Sequence, residues 1–237
     1  MASSQKYTVL SILQIISDLR GENVVNSDNK RIRAVSSAAF DFSNRKFWKT
    51  HLLADQSMAG DTTSNYTIGS STYPMRLNGL CDIRVGGTDE AYRYTVVDEN
   101  TSKIMISESS TAQVAYTWFD AANDVWKVHI NASPAATDTI YYSFYWVSPA
   151  LTATTSTLVC PNPKIIAKLA LGDIYEGEDE TEKAIVAKNE AEQLINELTG
   201  QDNQPAVNQV ITQGNVIRRG IGTYWKMNGK SILTSEN

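Results

Sequence analysis

Residues 146–200 read WVSPALTATTSTLVCPNPKIIAKLALGDIYEGEDETEKAIVAKNEAEQLINELTG, and the fold turns on this stretch. Trp146 and Val147 close an aromatic strand. A Pro-Ala-Leu-Thr turn and a Thr/Ser-rich loop follow. Pro161 and Pro163 mark a helix start, because proline's missing N–H is not needed in the first helical turn. Ile165, Ile166, Leu169 and Ala170 recur at helical spacing. That helix is expected to stop in the acidic loop around Gly177. A second helix is predicted from about Thr181 to Thr199, with Gly200 as its C-cap. Its apolar positions are Ala184, Ala187, Ala191, Leu194 and Leu198, the spacing of one buried face. The unit is a strand followed by an antiparallel helical hairpin.

Outward from this hairpin, the N-terminal end supplies two more helices. The first is predicted from Thr8 as N-cap to Gly21, with Val9, Ile12, Leu13, Ile16 and Leu19 on one face and Leu10 and Ile15 widening it. Ser27 or Asp28 caps the second, which carries Ile32, Val35, Ala39 and Phe42 and runs to about Trp48. Arg31, Arg33, Arg45, Lys46 and Lys49 lie on or near it. They form a solvated outer face or meet an acidic neighbour or DNA phosphate.

From His51 to Val147 the pattern is β. Strands are predicted at His51–Ser57, Tyr66–Ile68, Leu80–Val85, Lys103–Ser107, Gln113–Phe119, Val125–Ile130 and Thr139–Val147. One further strand has Tyr92, Tyr94 and Val96 on a single face. Gly86-Gly87 is a turn signal and Asp120–Asp124 a hairpin connection. Short strands separated by turn residues predict an antiparallel sandwich or barrel. Tyr141, Tyr142, Phe144, Tyr145 and Trp146 are too dense for a one-sided strand, so theirs is buried on both faces or meets a neighbouring subunit.

After Gly200 the chain turns polar and glycine-containing, without an amphipathic face. Residues 201–237 read as an extended arm. Its Ile217, Ile221, Tyr224 and Trp225 gain by burial, and Arg218 and Arg219 suit carboxylate partners. The arm packs back on its own domain or lies on another subunit by edge pairing.

The chain has 237 residues, 42% apolar and 20% charged, with a net charge of −5. That balance argues against a protein that coats nucleic acid. The charge is uneven: residues 1–49 carry +4, 50–160 carry −6, 161–200 carry −5 and 201–237 carry +2. Cys81 and Cys160 form no Cys-x-x-Cys unit and read as two buried thiols of a reducing compartment. The longest apolar stretch, around Ile12–Ile16, is far too short to span a bilayer.

Catalytic patterns are missing from the sequence. His51 and His129 have no metal spacing, and neither Gly-x-Ser-x-Gly nor a phosphate-cradling glycine loop occurs. Asp89-Glu90 and Asp98-Glu99 offer adjacent carboxylates such as a glycosidase needs, but in surface contexts. The acidic run Asp173, Glu176, Glu178, Asp179, Glu180 and Glu182 lacks EF-hand spacing. Such a run is costly to bury unpaired, so it is expected to be exposed.

The order of the pieces resembles the podovirus-type head-to-tail adaptors of tailed phages, also called head–tail connectors. The matching parts are Pro149–Thr152, Pro161, Ala170–Tyr175 with its Ala-Leu-Gly-x-x-Tyr, and Lys188–Leu194, all after an aromatic strand. Arg45-Lys46-Phe47-Trp48 fits the basic and aromatic stretch that follows the N-terminal helix pair of that family. The resemblance covers about Thr8 to Gly200.

It implies an α+β fold. An N-terminal helix pair and the C-terminal hairpin (residues 1–49 and 148–200) form a helical bundle. An antiparallel β-sandwich or barrel-like domain (50–147) is inserted between them, and an extended C-terminal assembly arm (201–237) follows. It implies a structural virion protein of the tail neck, assembled in the host cytoplasm; the lack of a nucleophile–base pair or ligand spacing predicts neither catalysis nor a cofactor. About a dozen copies form a ring. The implied partners are the portal protein, a tail tube or nozzle protein, and genomic double-stranded DNA that passes the channel without specific binding; no membrane is involved. The acidic run then faces the channel, where it repels phosphates, or a basic partner. Two other readings stand beside it: a β-sandwich module binding carbohydrate or a receptor on a tail or cell surface, and a tail-associated glycan hydrolase.

Overall fold

The structure is a computed structural model that describes residues 6–86, 91–131 and 133–201. The fold is α+β, and the chain divides into two compact units. The helical unit takes the described parts of Met1–His51 and Val147–Asn203 together with Ser71–Tyr73. The β unit takes the described parts of Leu52–Ser70 and Pro74–Trp146.

In the helical unit, strand β1 (Lys6–Thr8) runs directly into helix α1 (Val9–Arg20). The Thr8 hydroxyl accepts the Ser11 N–H at 3.2 Å, satisfying one of the helix's orphan donors. Gly21 closes the helix at φ 67°, a left-handed conformation that glycine adopts without Cβ strain. Val9, Ile12, Leu13 and Ile16 are fully buried. Leu10 and Leu19 are not, at 47% and 45% exposed, so the buried face is narrower than the periodicity predicts.

Asp28 caps helix α2 (Asn29–Arg45), accepting the Arg31 N–H at 2.8 Å. The helix ends before Trp48. Lys46 is extended, and the Trp48 indole folds back to stack on Phe42, with ring centroids 4.6 Å apart. Its Nε1–H donates to the Phe42 carbonyl at 2.7 Å, which a continuing helix would forbid. His51 lies in the short 3₁₀ turn Lys49–His51 rather than in a strand.

A strand that sequence periodicity misses, Thr157–Val159, pairs antiparallel with β1, placing Tyr7 opposite Leu158. The Pro-Ala-Leu-Thr segment before it is pinned to α2. The Ser43 hydroxyl accepts the Ser148 N–H and the Ser36 hydroxyl accepts the Leu151 N–H, each at 2.9 Å.

The hairpin follows as two helices, Pro163–Glu176 and Thr181–Gln201. Pro163 sits in the first turn beneath an Asn162 cap, and Gly177 closes the first of the two. Gly200 lies inside the second helix, so it is not the C-cap. Ala184, Ala187 and Ala191 are buried as the pattern predicts; Ile195 is buried as well, while Leu194 and Leu198 are only partly so. One apolar cluster joins all four long helices of this unit, including Ile12, Val35, Phe42, Ile166, Ala170 and Ala191.

In the β unit the strands are β2 (Leu52–Ala59), β3 (Asn65–Ile68), β4 (Met75–Gly86), β5 (Ala91–Arg93), β6 (Thr95–Val96), β7 (Val114–Asp120), β8 (Val125–Ile130) and β9 (Thr139–Trp146). In chain order the Thr157–Val159 strand is β10. Two four-stranded sheets form, with orders β2-β9-β4-β5 and β3-β8-β7-β6. All their pairings are antiparallel except β6 with β7. Strand β9 runs between β2 and β4; the consecutive Phe144, Tyr145 and Trp146 are buried, so its end is covered on both faces, while Tyr141 and Tyr142 are half-buried.

Two strand expectations fail here. Tyr92, Tyr94 and Val96 do not share one strand. The Tyr94 N–H bonds Ile83 in one sheet and the Thr95 N–H bonds Gln113 beside the other, so the chain crosses between sheets and leaves Tyr92 61% exposed. Residues 103–107 are helical, within α3 (Glu99–Glu108). Asp98 caps it by accepting the Thr101 N–H at 2.9 Å and the Thr101 hydroxyl at 2.6 Å, and this cap overrides the alternating Ile104 and Ile106. The hairpin hairpin-helices of the helical unit are accordingly α4 (Pro163–Glu176) and α5 (Thr181–Gln201).

Candidate functional site

The acidic run occupies the α4–α5 turn. The Gly177 N–H bonds the Asp173 carbonyl, the Glu180 N–H bonds Tyr175 at 2.9 Å, and Asp179 takes a left-handed φ of 61°. Glu176, Glu178, Asp179 and Glu182 are exposed; Asp173 and Glu180 are half-buried. Four of the six carboxylates meet cations of the same unit. Arg20 from α1 holds Glu178 at 2.8 Å, and Lys183 holds Glu180 at 2.9 Å. Lys188 bridges Asp173 at 3.1 Å and Glu176 at 2.7 Å. Lys30 donates to the Gly177 carbonyl at 3.1 Å. Asp179 and Glu182 have no ion pair among the described residues.

The Ala-Leu-Gly-x-x-Tyr motif organises this corner. A Cβ on Gly172 would stand 2.6 Å from Lys188 Cγ, so the glycine makes room for the lysine stem to cross α4 toward its carboxylates. The Tyr175 ring receives Arg20 at 5.1 Å and Lys183 at 5.6 Å from its centroid.

A second network lies at the end of α1, where sequence reasoning found nothing. Arg31 donates to both Glu22 oxygens at 2.6 and 2.7 Å, and Arg20 Nε reaches Glu22 at 2.8 Å. The Arg31 hydrogen bonds hold the Glu22 carboxyl down from 4.5 to about 2. Arg31 is therefore not part of a solvated outer face; it is 7% exposed. Nothing in the spacing of Glu22 and Arg31 signals a pair that only the α1–α2 turn creates.

Two depressions flank the hairpin. One, about 300 Å³, is lined by Ser37, Asp41 and Arg45 of α2, Asp173 of α4, and Lys188 and Glu192 of α5. Arg45 is bound there by Asp41 at 2.7 Å and by Glu192, so its polar groups satisfy one another. The other is a groove of about 370 Å³ between the end of α1, α4 and α5. Its floor includes Leu19, Leu171, Tyr175, Val186 and Ala187, and Lys168, Glu182, Lys183 and Glu190 stand at its rim.

In the β unit, one face of β3-β8-β7 carries a short row of rings. Tyr116 lies 4.9 Å from His129 and 5.8 Å from Trp118, and Asn65 Oδ1 orients His129 Nδ1 at 2.8 Å. Burial pushes the His129 imidazole below its usual range. The Lys127–Asp120 pair, 2.7 Å, closes the hairpin end of the row.

Other candidates have structural partners. Asp98 is a helix cap and Glu99 pairs with Lys103 at 2.7 Å. Cys160 is buried, whereas Cys81 is only half-buried. Burial pushes both thiols up to about 12, so neither is a ready nucleophile. Among the described residues no group of three or more His, Cys, Asp or Glu side chains is placed to hold a metal. None of their helices is long and apolar enough to cross a membrane. Asp89, Glu90 and Gly87 lie outside the described residues, as do the arm candidates Ile217, Arg218, Arg219, Ile221, Tyr224 and Trp225. Compared with known proteins, the chain matches no family model and no curated protein sequence.

Proposed function

We propose that this chain is a head-to-tail adaptor of a tailed phage, a structural virion protein without catalytic activity. Copies form a ring between the portal and the tail, leaving a channel for double-stranded DNA. The observation that carries this reading is the ordered set Arg45–Trp48, aromatic strand, Pro149–Thr152, Pro161, Ala170–Tyr175 and Lys188–Leu194. The helical parts are read as a bundle and the inserted strands as a sandwich. Supporting it, Gly172 of the central motif has a mechanical use as the seat of Lys188, which ties α5 to the acidic turn. Asp179 and Glu182 of the turn, which have no ion pair among the described residues, suit a channel wall that repels phosphate or a basic partner surface.

Residues 201–237 act as the assembly arm toward the portal, through Ile217, Arg218, Arg219, Ile221, Tyr224 and Trp225. Light scattering and electron microscopy of the full chain, alone and with the portal protein, test the reading. A closed ring is the expected result, and deletion of 201–237 is expected to weaken portal docking. A monomer under both conditions overturns it.

A second reading, a carbohydrate-binding module, is favoured by the Tyr116, Trp118 and His129 row, since aromatic faces stack on sugar rings. Binding on a glycan array by a monomeric protein would select it.

A further inference from the structure

We infer that the groove between α1, α4 and α5 receives helix α2 of a second copy, in a head-to-tail contact. The inference rests on the ring reading and names the surfaces that would close the ring. Arg33, Ser37, Phe40 and Asn44 follow one another at spacings of four, three and four, so they share the outward stripe of α2. All four are exposed, and Phe40 is 49% exposed while Phe42, two residues on, is fully buried. A phenyl ring held out on a helix is a knob without a hole in its own unit.

The groove supplies a hole of matching chemistry. Its floor is apolar, and Leu19 and Val186 stand 45% and 57% exposed beside it, with neighbouring Ile185 at 55%. Isolated exposed apolar residues mean little, but a contiguous group around a concavity marks an interaction surface.

The charges are complementary. At the rim, Lys183 is engaged by Glu180 and Lys168 by Glu190. Glu182, also on the rim, has no ion-pair partner among the described residues, so the unbalanced charge there is negative. On the α2 stripe the unbalanced charge is Arg33, also without an ion pair among those residues. With Phe40 on the Val186–Tyr175 floor, Arg33 sits two helical turns away, about 10 Å along α2. Glu182 lies one helical turn before Val186 on α5, about 6 Å along its axis, a spacing that a long arginine side chain can bridge when α2 runs along α5 in that sense. Stripe and groove share no residue. A contact between two different patches repeats from copy to copy, giving a ring when the rotation closes.

The test is self-association of the full chain, alone and with the portal protein, read by light scattering and electron microscopy, with thermal melts to establish folding. Phe40→Asp, Arg33→Glu and Glu182→Arg are each expected to weaken association about tenfold or more. Arg33→Glu combined with Glu182→Arg is expected to restore it. Phe40→Cys copies mixed with Val186→Cys copies should cross-link to each other under oxidation. Wild-type rings that persist unchanged in folded Phe40→Asp and Arg33→Glu variants overturn the groove contact and leave the adaptor reading standing. Cross-links formed only between Phe40→Cys copies show an isologous pair and overturn it as well. A wild-type chain that stays monomeric even with the portal overturns both readings.

Discussion

The helical unit and the β unit are held together by different parts of the chain. A helix satisfies its own backbone, so only side chains can specify how helices meet. The helical unit accordingly joins sequence-distant elements by side chains: the apolar cluster of α1, α2, α4 and α5, and the pairs Arg20–Glu178, Arg45–Glu192 and Lys168–Glu190. A strand satisfies its backbone through its neighbour, so the ladder itself sets the arrangement. Most of the β unit's ion pairs decorate that ladder locally, Arg84 with Asp82, Arg93 with Asp82 and Lys127 with Asp120, while Arg84 also reaches across β9 to Asp55 at 2.6 Å.

Glycines follow the same division. In the β unit a Cβ on Gly79 would stand 2.5 Å from the Tyr145 carbonyl oxygen, and one on Gly60 would stand 2.2 Å from that of Ala135. In the helical unit, Gly172 faces only the stem of Lys188. Side-chain changes should therefore weaken the helical unit most, and changes that push on backbone should weaken the β unit most.

The largest expected effect is Phe42→Ala. It removes a fully buried ring and its stack with Trp48, and should cost about 3–5 kcal/mol. Chemical denaturation followed by tryptophan fluorescence reads it. A loss below about 1 kcal/mol would mean the helices collapse around the cavity, and the contrast would weaken.

Next is Gly79→Ala. The added methyl meets the carbonyl oxygens of Tyr145 and Arg76, at 2.5 and 2.7 Å, so strands rather than side chains must shift. About 1–3 kcal/mol is expected, with hydrogen exchange accelerated in β4 and β9. Unchanged exchange there would show that the close approach is easily relieved.

Acid separates the units further. Glu22 titrates near 2 instead of 4.5, chiefly through its hydrogen bonds to Arg31. A depressed carboxylate contributes stability that is present above about 4.5 and lost as the pH falls toward about 2. Asp120 is likewise held at about 2, by Lys127 first and then Asn123. Glu22→Gln should cost about 1–2 kcal/mol at neutral pH and flatten the acid limb, because it cuts a tie between the end of α1 and α2. Asp120→Asn should move the acid midpoint less, since the β7–β8 ladder stays intact. Circular dichroism from pH 7 to 2 checks the order of the two variants.

Local chemistry was legible in the sequence where one segment carries the whole signal. Thr8, Asp28 and Pro163 start helices as their residue types require, and Gly21 and Gly177 close them. Legibility fails where distant segments decide. Three residues at Thr157–Val159 form a strand only because Lys6–Thr8 lies beside them. The break at Tyr94 depends on Ile83 and Gln113. Residues 103–107 are a different case, a competition between two local signals: they alternate like a strand, yet the Asp98 cap just upstream makes them helical. At the acidic turn the exposure of Glu176, Glu178, Asp179 and Glu182 was readable from charge density, though Asp173 and Glu180 are half-buried. The pairing was not, because Arg20 is 158 residues from Glu178.

The smallest expected effect is the sharpest test of the contrast. Gly172→Ala puts a methyl 2.6 Å from Lys188 Cγ and 2.9 Å from its Cε, nearly as short as the 2.5 and 2.7 Å at Gly79. Here the obstacle is a flexible side chain that can swing aside, giving up its bridges to Asp173 and Glu176. Those bridges are 37–55% exposed at their side chains, and such pairs are worth about 0–1 kcal/mol. Against that loss, alanine gains about 1 kcal/mol over glycine inside a helix. The two nearly cancel, so the denaturation midpoint should stay close to wild type while Gly79→Ala lowers it. If Gly172→Ala destabilises as much as Gly79→Ala, then Lys188 is fixed as firmly as a backbone carbonyl, and the α4–α5 hairpin depends on that lysine for its geometry.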